Sequence, residues 1–271
     1  MTATRMPAFY IPHGGGPWPF LDPGSSMRTG WRGLEVWLQG LRAVLPGKPE
    51  AIVVATAHWE EKVPTVTMGA STELLFDYYG FPENTYSLSY PAPGSPAVAS
   101  RVLELLLGNG IPGASTEERG LDHGVFVPLM VMYPEAEIPV VALSLQAGLD
   151  PRAHLAIGEA LIPLRDEGVL LLGSGLSYHN MAAFRTRDPR APHDSKAFDD
   201  WLTRALDVAD PEERASLLAG WERAPRALMS HPRSEHLTPV FVAAGAAGAD
   251  RGVRTLRDSF WGISMSGFQF G

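Results

Sequence analysis

Short apolar runs rich in β-branched residues recur along the chain, at residues 51–55 (AIVVA), 138–145 (IPVVALSL) and 169–172 (VLLL). Their length and residue type predict strands buried on both faces. A further strand is expected over residues 8–11, just before the Pro-His-Gly-Gly-Gly segment. Helical patterns lie between these runs. Residues 95–108 (SPAVASRVLELLLG) carry a serine at the cap position, a proline in the first turn and a glycine at the end, the usual start and stop signals of a helix. Further helices are expected over 151–167, 195–206 and 211–218, and over 238–248, where small residues suit close packing. Strands that alternate with helices in this way predict an α/β fold with a central mixed sheet flanked by helices. The segment 76–96 (FDYYGFPENTYSLSYPAPGSP) is too long for a plain connector, and its aromatic, Gly and Pro content suits a lid or a pocket wall. No repeat or linker divides the chain, so residues 1–271 are expected to form a single domain.

Composition narrows the function. The formal charge is -8, from 22 Lys and Arg against 30 Asp and Glu, with no basic run able to neutralise a phosphate backbone. Nucleic acid is not an expected partner. There is no cysteine, which excludes disulfides, thiolate metal sites and cysteine nucleophiles, so any metal must be held by nitrogen and oxygen. No stretch reads as a signal peptide or a membrane span, and a cytoplasmic protein without a membrane partner is expected.

The candidate chemistry lies with histidine. His13 (IPHGGGPW), His58 (VATAHWEE) and His179 (LGSGLSYHNM) each follow an apolar run and would emerge at the carboxyl end of a strand, the edge where open α/β sheets bind ligands. His123 stands in GLDHGVFVP, and His236 stands beside Glu235 at the start of the last helix. His154, His193 and His231 have no comparable setting. A single histidine is more often a packed or surface residue than a ligand. Several at strand ends among glycines are hard to explain as packing, and imidazole suits zinc or ferrous iron. The glycines 14–16 lack the Lys-Ser/Thr ending of a phosphate loop and the spacing of a dinucleotide fold. Gly-Ser-Gly at 173–175 is not a nucleophile elbow.

Taken together, PHGGGPW, ATAHWE, GLDHGVFVPLMVMYP, IPVVALSL, GSGLSYHN and SEHLTPVFVAAGAA resemble the class III extradiol ring-cleaving dioxygenases, closest to their bacterial DOPA 4,5-dioxygenase-like branch, over nearly the whole chain. The resemblance implies an oxidoreductase of aromatic compound metabolism that opens a catecholic, DOPA-like ring with O2. It implies one mononuclear divalent metal, Fe²⁺ for activity or Zn²⁺ in its place. His13 and His58 match the early metal ligands, and the third falls at His236 or Glu235, of which His236 is preferred. His179 matches an acid–base residue or fourth ligand, and His123 one that meets substrate or oxygen. At the first motif relatives commonly carry His-Gly-Ser-Pro, whereas this chain has Gly14-Gly15-Gly16-Pro17 and so lacks a hydroxyl. The histidines alone also admit a zinc hydrolase or a non-catalytic metal-binding protein.

Overall fold

The computed structural model describes residues 5–71 and 73–271; the remaining five positions of the expected single domain lie outside the described residues. Eight strands form one mixed sheet: β1 (Ala8–Pro12), β2 (Ala51–Glu61), β3 (Thr65–Thr67), β4 (Ala114–Thr116), β5 (Val140–Gln146), β6 (Val169–Gly175), β7 (Gly252–Phe260) and β8 (Ile263–Phe270), in the order β4-β3-β5-β2-β6-β1-β8-β7. The four central strands, β5, β2, β6 and β1, are mutually parallel, and they are the four that the apolar runs predict. Both faces of these strands are buried, as a parallel sheet requires.

Period-two alternation sorts the core. Val53, Ala55, Val141 and Leu171 face one side, against the helices Pro151–Ala160, Ala191–Leu206 and Pro239–Ala246. Ile52, Val54, Ala142 and Leu172 face the other, against Arg32–Val44 and His123–Met132. The helix Pro96–Gly108 begins as expected, with the Ser95 hydroxyl accepting from the Val98 amide. The expected helix over 151–167 is two helices, Pro151–Ala160 and Ile162–Asp166, because Pro163 has no N–H to continue the first and instead occupies the first turn of the second. The helix expected from Ser195 starts earlier, at Ala191, with Pro192 in its first turn. β7 and β8 form a hairpin through Trp261 and Gly262, both at positive φ (51° and 81°), which matches the twist of paired strands. That hairpin extends the sheet beside β1, with β8 antiparallel so that Phe270 pairs with Ala8 at the start of β1 and the Trp261–Gly262 turn lies towards the edge where β1 ends. Among the described residues no helix is long and apolar enough to cross a membrane.

Candidate active site

The geometry of the sheet gathers histidines from distant parts of the chain. β6 lies between β1 and β2, with Pro12 in register with Gly175 and Thr56 with Ser174, so the carboxyl ends of all three strands reach one edge together. His13 leaves the end of β1, His58 lies in the irregular last part of β2, and His179 follows β6. His236 arrives from the far side of the sequence. Its carbonyl accepts from the Leu176 amide (3.0 Å) and the Tyr10 hydroxyl (2.8 Å), which pins the segment against β6. Gly175 makes this approach possible, since a Cβ there would lie 2.1 Å from the His236 carbonyl oxygen. His123 opens the helix His123–Met132 behind Asp122. The five rings then meet: centroids are 4.9 Å apart for His13 and His58, 5.1 Å for His13 and His236, 4.8 Å for His58 and His236, 4.1 Å for His58 and His123, and 3.4 Å for the stacked pair His179 and His236.

Each ring is tied back through Nδ1. The Ser174 hydroxyl donates to the Gly124 carbonyl, so its lone pair receives the His13 Nδ1–H at 3.2 Å. Asp77 accepts from His123 Nδ1 (2.8 Å) and the His123 amide (2.9 Å) through Oδ1, while Oδ2 lies 3.3 Å from His58 Nδ1. Glu235 Oε1 accepts from both His179 Nδ1 (2.9 Å) and His236 Nδ1 (3.1 Å). Two carboxylates thus each lie against the Nδ1 atoms of two imidazoles, which favours the Nδ1–H tautomer with its lone pair on Nε2. Carboxylates and carbonyls behind histidine Nδ1 are the usual support of metal-binding imidazoles.

The consequence at the centre is electrostatic. His13 Nε2 and His58 Nε2 lie 3.2 Å apart, and with both Nδ1 atoms protonated two lone pairs face each other. A proton on one Nε2 or a shared cation relieves that contact. Two nitrogens that each sit about 2.0–2.1 Å from one ion are separated by just such a distance. Ring nitrogens of His13, His58 and His123 fall within 4.8 Å of one another, and ligand atoms of His179, Glu235 and His236 do the same. The first group puts His123, and not the expected third ligand His236, with His13 and His58, while His236 and His179 fall in the second; imidazole nitrogens so gathered suit a divalent metal ion. Burial and the neighbouring imidazoles hold His13 and His236 well below the ordinary histidine value. The same causes lower His58 to about 3, with Asp77 opposing. Burial works to raise Asp77, but the His123 hydrogen bond and the two imidazoles outweigh it and set Asp77 at about 2. Burial likewise opposes the lowering of Glu235, which the His179 hydrogen bond and charge bring about. At neutral pH His13, His58 and His236 are neutral while the two carboxylates are charged, the protonation state that metal binding needs. The His58–Asp77 contact is accordingly a hydrogen-bond-like contact to a neutral ring and not an ion pair.

The cluster forms the floor of a cavity of about 650 Å³, a size typical of small-molecule sites. Its walls are Met27, Trp31, Tyr78, Phe81, Phe184, Phe260 and Trp261. The long aromatic loop is a pocket wall as expected, through Tyr78, Tyr79 and Phe81; Tyr90 is not part of it, being buried with its hydroxyl on the Tyr133 carbonyl (3.0 Å). Gly14, at φ 79°, turns the chain above Trp18, whose indole N–H holds the His13 carbonyl (2.9 Å). The other histidines stand apart. His154 is buried and satisfied by the Gln146 amide and the Asp150 carbonyl, and His193 is a surface residue. His231 is buried between Phe198 and Trp221, donating to the Ser177 carbonyl while its Nδ1 has no partner. Asp77 and Ser174 are the residues that sequence reasoning missed. Asp77 lies within the singled-out aromatic loop and Ser174 within the Gly-Ser-Gly motif, but neither spacing reveals which ring it supports.

Over residues 7–271 the chain matches the family described as the catalytic LigB subunit of aromatic ring-opening dioxygenase. It is 40% identical over 260 residues to a 4,5-DOPA dioxygenase extradiol of Beta vulgaris, across 95% of this chain and 93% of that protein. A protein of the same name from Escherichia coli (strain K12) is 36% identical, across 91% and 87%. The crystal structure of an uncharacterized protein from Escherichia coli K12 aligns with a TM-score of 0.76 at 30% identity, across 98% of this chain and all of that one.

Proposed function

The chain belongs to the family of catalytic LigB subunits of aromatic ring-opening dioxygenases and is an oxidoreductase, and from that premise we propose that it opens a catechol ring with O2 at one divalent ion. His13, His58 and His236 hold the ion in this reading, with His179 beside them. We assign Fe²⁺ to turnover and regard Zn²⁺ as an inactive occupant, because zinc has no redox chemistry. The observation that carries the proposal is the convergence of five imidazoles, each anchored through Nδ1, on the floor of an aromatic-walled cavity. When bound, the ion brings catechol and O2 into one coordination sphere, which can remove about 7–11 kcal/mol from the barrier by making their encounter intramolecular.

The rest falls to side chains of this chain. His179 takes the catechol proton at Nε2, and the Glu235 carboxylate on its Nδ1 steadies the imidazolium that forms, as the buried aspartate of a hydrolytic triad does for its histidine. His123, tied to Asp77, lines the same cavity and is placed to meet oxygen or return the proton as the ring opens. Trp31, Tyr78 and Phe260 supply flat apolar walls for an aromatic ring and keep water from the floor. Two relatives carry DOPA in their names, which makes DOPA the first catechol to test.

The test is to load the protein with Fe²⁺ or Zn²⁺ under argon, add a panel of catechols, and admit air. Oxygen uptake and a yellow ring-opened product with iron, and neither with zinc, are expected. Ester or amide hydrolysis with zinc and no oxygen uptake would refute the assignment.

A further inference from the structure

Two arginines stand at the cavity that holds the histidine cluster, and nothing in the proposed chemistry uses them. Arg185 lies in the short helix Met181–Thr186 and Arg187 caps it; both line the cavity and both are exposed. Among the described residues neither forms an ion pair, and the nearby Asp188 is taken by Arg190. Arg187 is held at φ 51° in the left-handed region, which disfavours a residue with a Cβ. Its guanidinium lies 5.2 Å from the Trp261 ring centroid. Trp261 is itself at φ 51° in the β7–β8 turn, stacked on Phe260 (4.2 Å), which stacks on Trp31 (4.2 Å). Two strained backbones from distant parts of the chain therefore meet at the mouth and fix a cation there. In a chain of net charge -8, this is a local reversal of sign. No carboxylate lines the cavity among the described residues, and Asp77 and Glu235 behind its floor are engaged by histidine Nδ1 atoms, so an ammonium beside the arginines would have no carboxylate partner.

We propose that Arg185 and Arg187 select the substrate by charge: the site takes a catechol whose side chain ends in a carboxylate, and it reads the acid and not an amine. Resting on the dioxygenase reading, this inference deepens it. A dihydroxyphenylpropionate, with acid and no amine, satisfies the mouth as fully as DOPA does, and a catechol bearing only an amine is disfavoured. Guanidinium is suited to this task because its planar fork matches a carboxylate.

The experiment compares 3,4-dihydroxyphenylpropionate, DOPA, 4-methylcatechol and dopamine on the iron-loaded protein. The variants are Arg185→Gln with Arg187→Gln, and a control, Arg152→Gln with Arg204→Gln, that removes the same charge from the exposed surface of other helices. Tryptophan fluorescence quenching under argon reads binding by the same compounds apart from turnover. For the wild type we expect the two acids to have similar KM values, dopamine a KM at least tenfold higher, and the acid KM to rise with salt. In the mouth variant the ratio of kcat/KM for the acids to that for 4-methylcatechol should fall about tenfold through KM, and in the control it should not move. Equal KM values for acid and amine in the wild type, or an unchanged ratio in the mouth variant, overturns the inference. If no catechol is opened but quenching still follows side-chain charge, the dioxygenase reading fails and the charge selection stands.

Discussion

Replacing Asp77 by asparagine is the sharpest probe of the cluster, because it turns one acceptor oxygen into a donor and removes the charge while keeping the shape. The amide oxygen can take the place of Oδ1, which receives the His123 Nδ1–H at 2.8 Å and the His123 amide at 2.9 Å. The NH2 group must then take the place of Oδ2 and face the His58 Nδ1–H across 3.3 Å, donor against donor. His58 escapes by moving its proton to Nε2. That choice removes the lone pair which faces His13 Nε2 at 3.2 Å, and with it one donor to the ion. Loss of such a supporting carboxylate typically lowers metal affinity 10–100-fold, or about 1.4–2.8 kcal/mol. Competition of wild type and Asp77→Asn for Zn²⁺ against a chromophoric chelator measures the change directly. Reversing the orientation of the amide does not rescue the site, because the NH2 group then opposes both His123 donors. An unchanged Zn²⁺ affinity in Asp77→Asn would mean that the tautomer of His58 is not set by this carboxylate, and the support proposed for the whole cluster would be wrong.

Four further substitutions test separate steps. His58→Ala should abolish metal retention, whereas His123→Ala should keep the metal and lose turnover; elemental analysis of the purified variants decides, and metal loss from His123→Ala would make that ring a ligand. Gly175→Ala places a Cβ 2.1 Å from the His236 carbonyl and 3.2 Å from the Tyr10 ring. Because the first neighbour is backbone, the strain should reach about 3 kcal/mol, seen as a melting temperature lower by several degrees together with weaker metal binding; a variant that melts like the wild type refutes the close approach. Burial lowers His231 from the ordinary histidine value of 6.5 to about 3, so the unfolded chain binds its proton first as pH falls. Stability of the metal-free protein should therefore decline as pH drops from about 6.5 towards 3, with stability rising with pH throughout that window. His231→Phe should flatten that slope between pH 7 and 5 in thermal melts, whatever its effect on stability at pH 7, and an identical slope would show that His231 does not carry it.

The expectations that succeeded and those that failed differ in the range of the interactions behind them. A buried parallel strand announces itself locally through an unbroken apolar run, and a polar residue just past its end is placed at the sheet's carboxyl edge by that fact alone. His13, His58 and His179 were legible in this way. His123 was not, since no apolar run precedes it, and only its motif pointed to the site. Helix breaks depend on a local detail, the missing N–H of Pro163, that the 151–167 pattern did not weigh against its periodicity. The helix Arg32–Val44 carries Leu34, Leu38 and Leu41 on one face, and the Trp261–Gly262 turn marks a hairpin, so these two elements carry their own readable signals. Asp77 carries none, because its meaning comes from rings 19 residues before it and 46 after it in the chain (77 − 58 and 123 − 77).

The choice between Glu235 and His236 shows what only three dimensions supply. Both side chains reach the same cluster, and only the resemblance, not the residues themselves, favours His236 as ligand in the sequence. The structure gives the carboxylate a task that imidazole cannot perform: Glu235 Oε1 accepts two Nδ1–H donors at once, from His179 and His236, whose rings stack at 3.4 Å. An imidazole nitrogen offers a single lone pair and could anchor only one of them. Oε1 is engaged behind the rings, while Oε2 lies 3.6 Å from Arg233 with no hydrogen-bond partner; His236 offers the centre a nitrogen that burial keeps unprotonated. Glu235→Gln separates the roles. As an anchor, its loss should weaken Zn²⁺ binding by the 10–100-fold of a supporting residue while one ion per chain is still bound at saturation. A variant that binds no ion at any concentration would make Glu235 itself the third ligand.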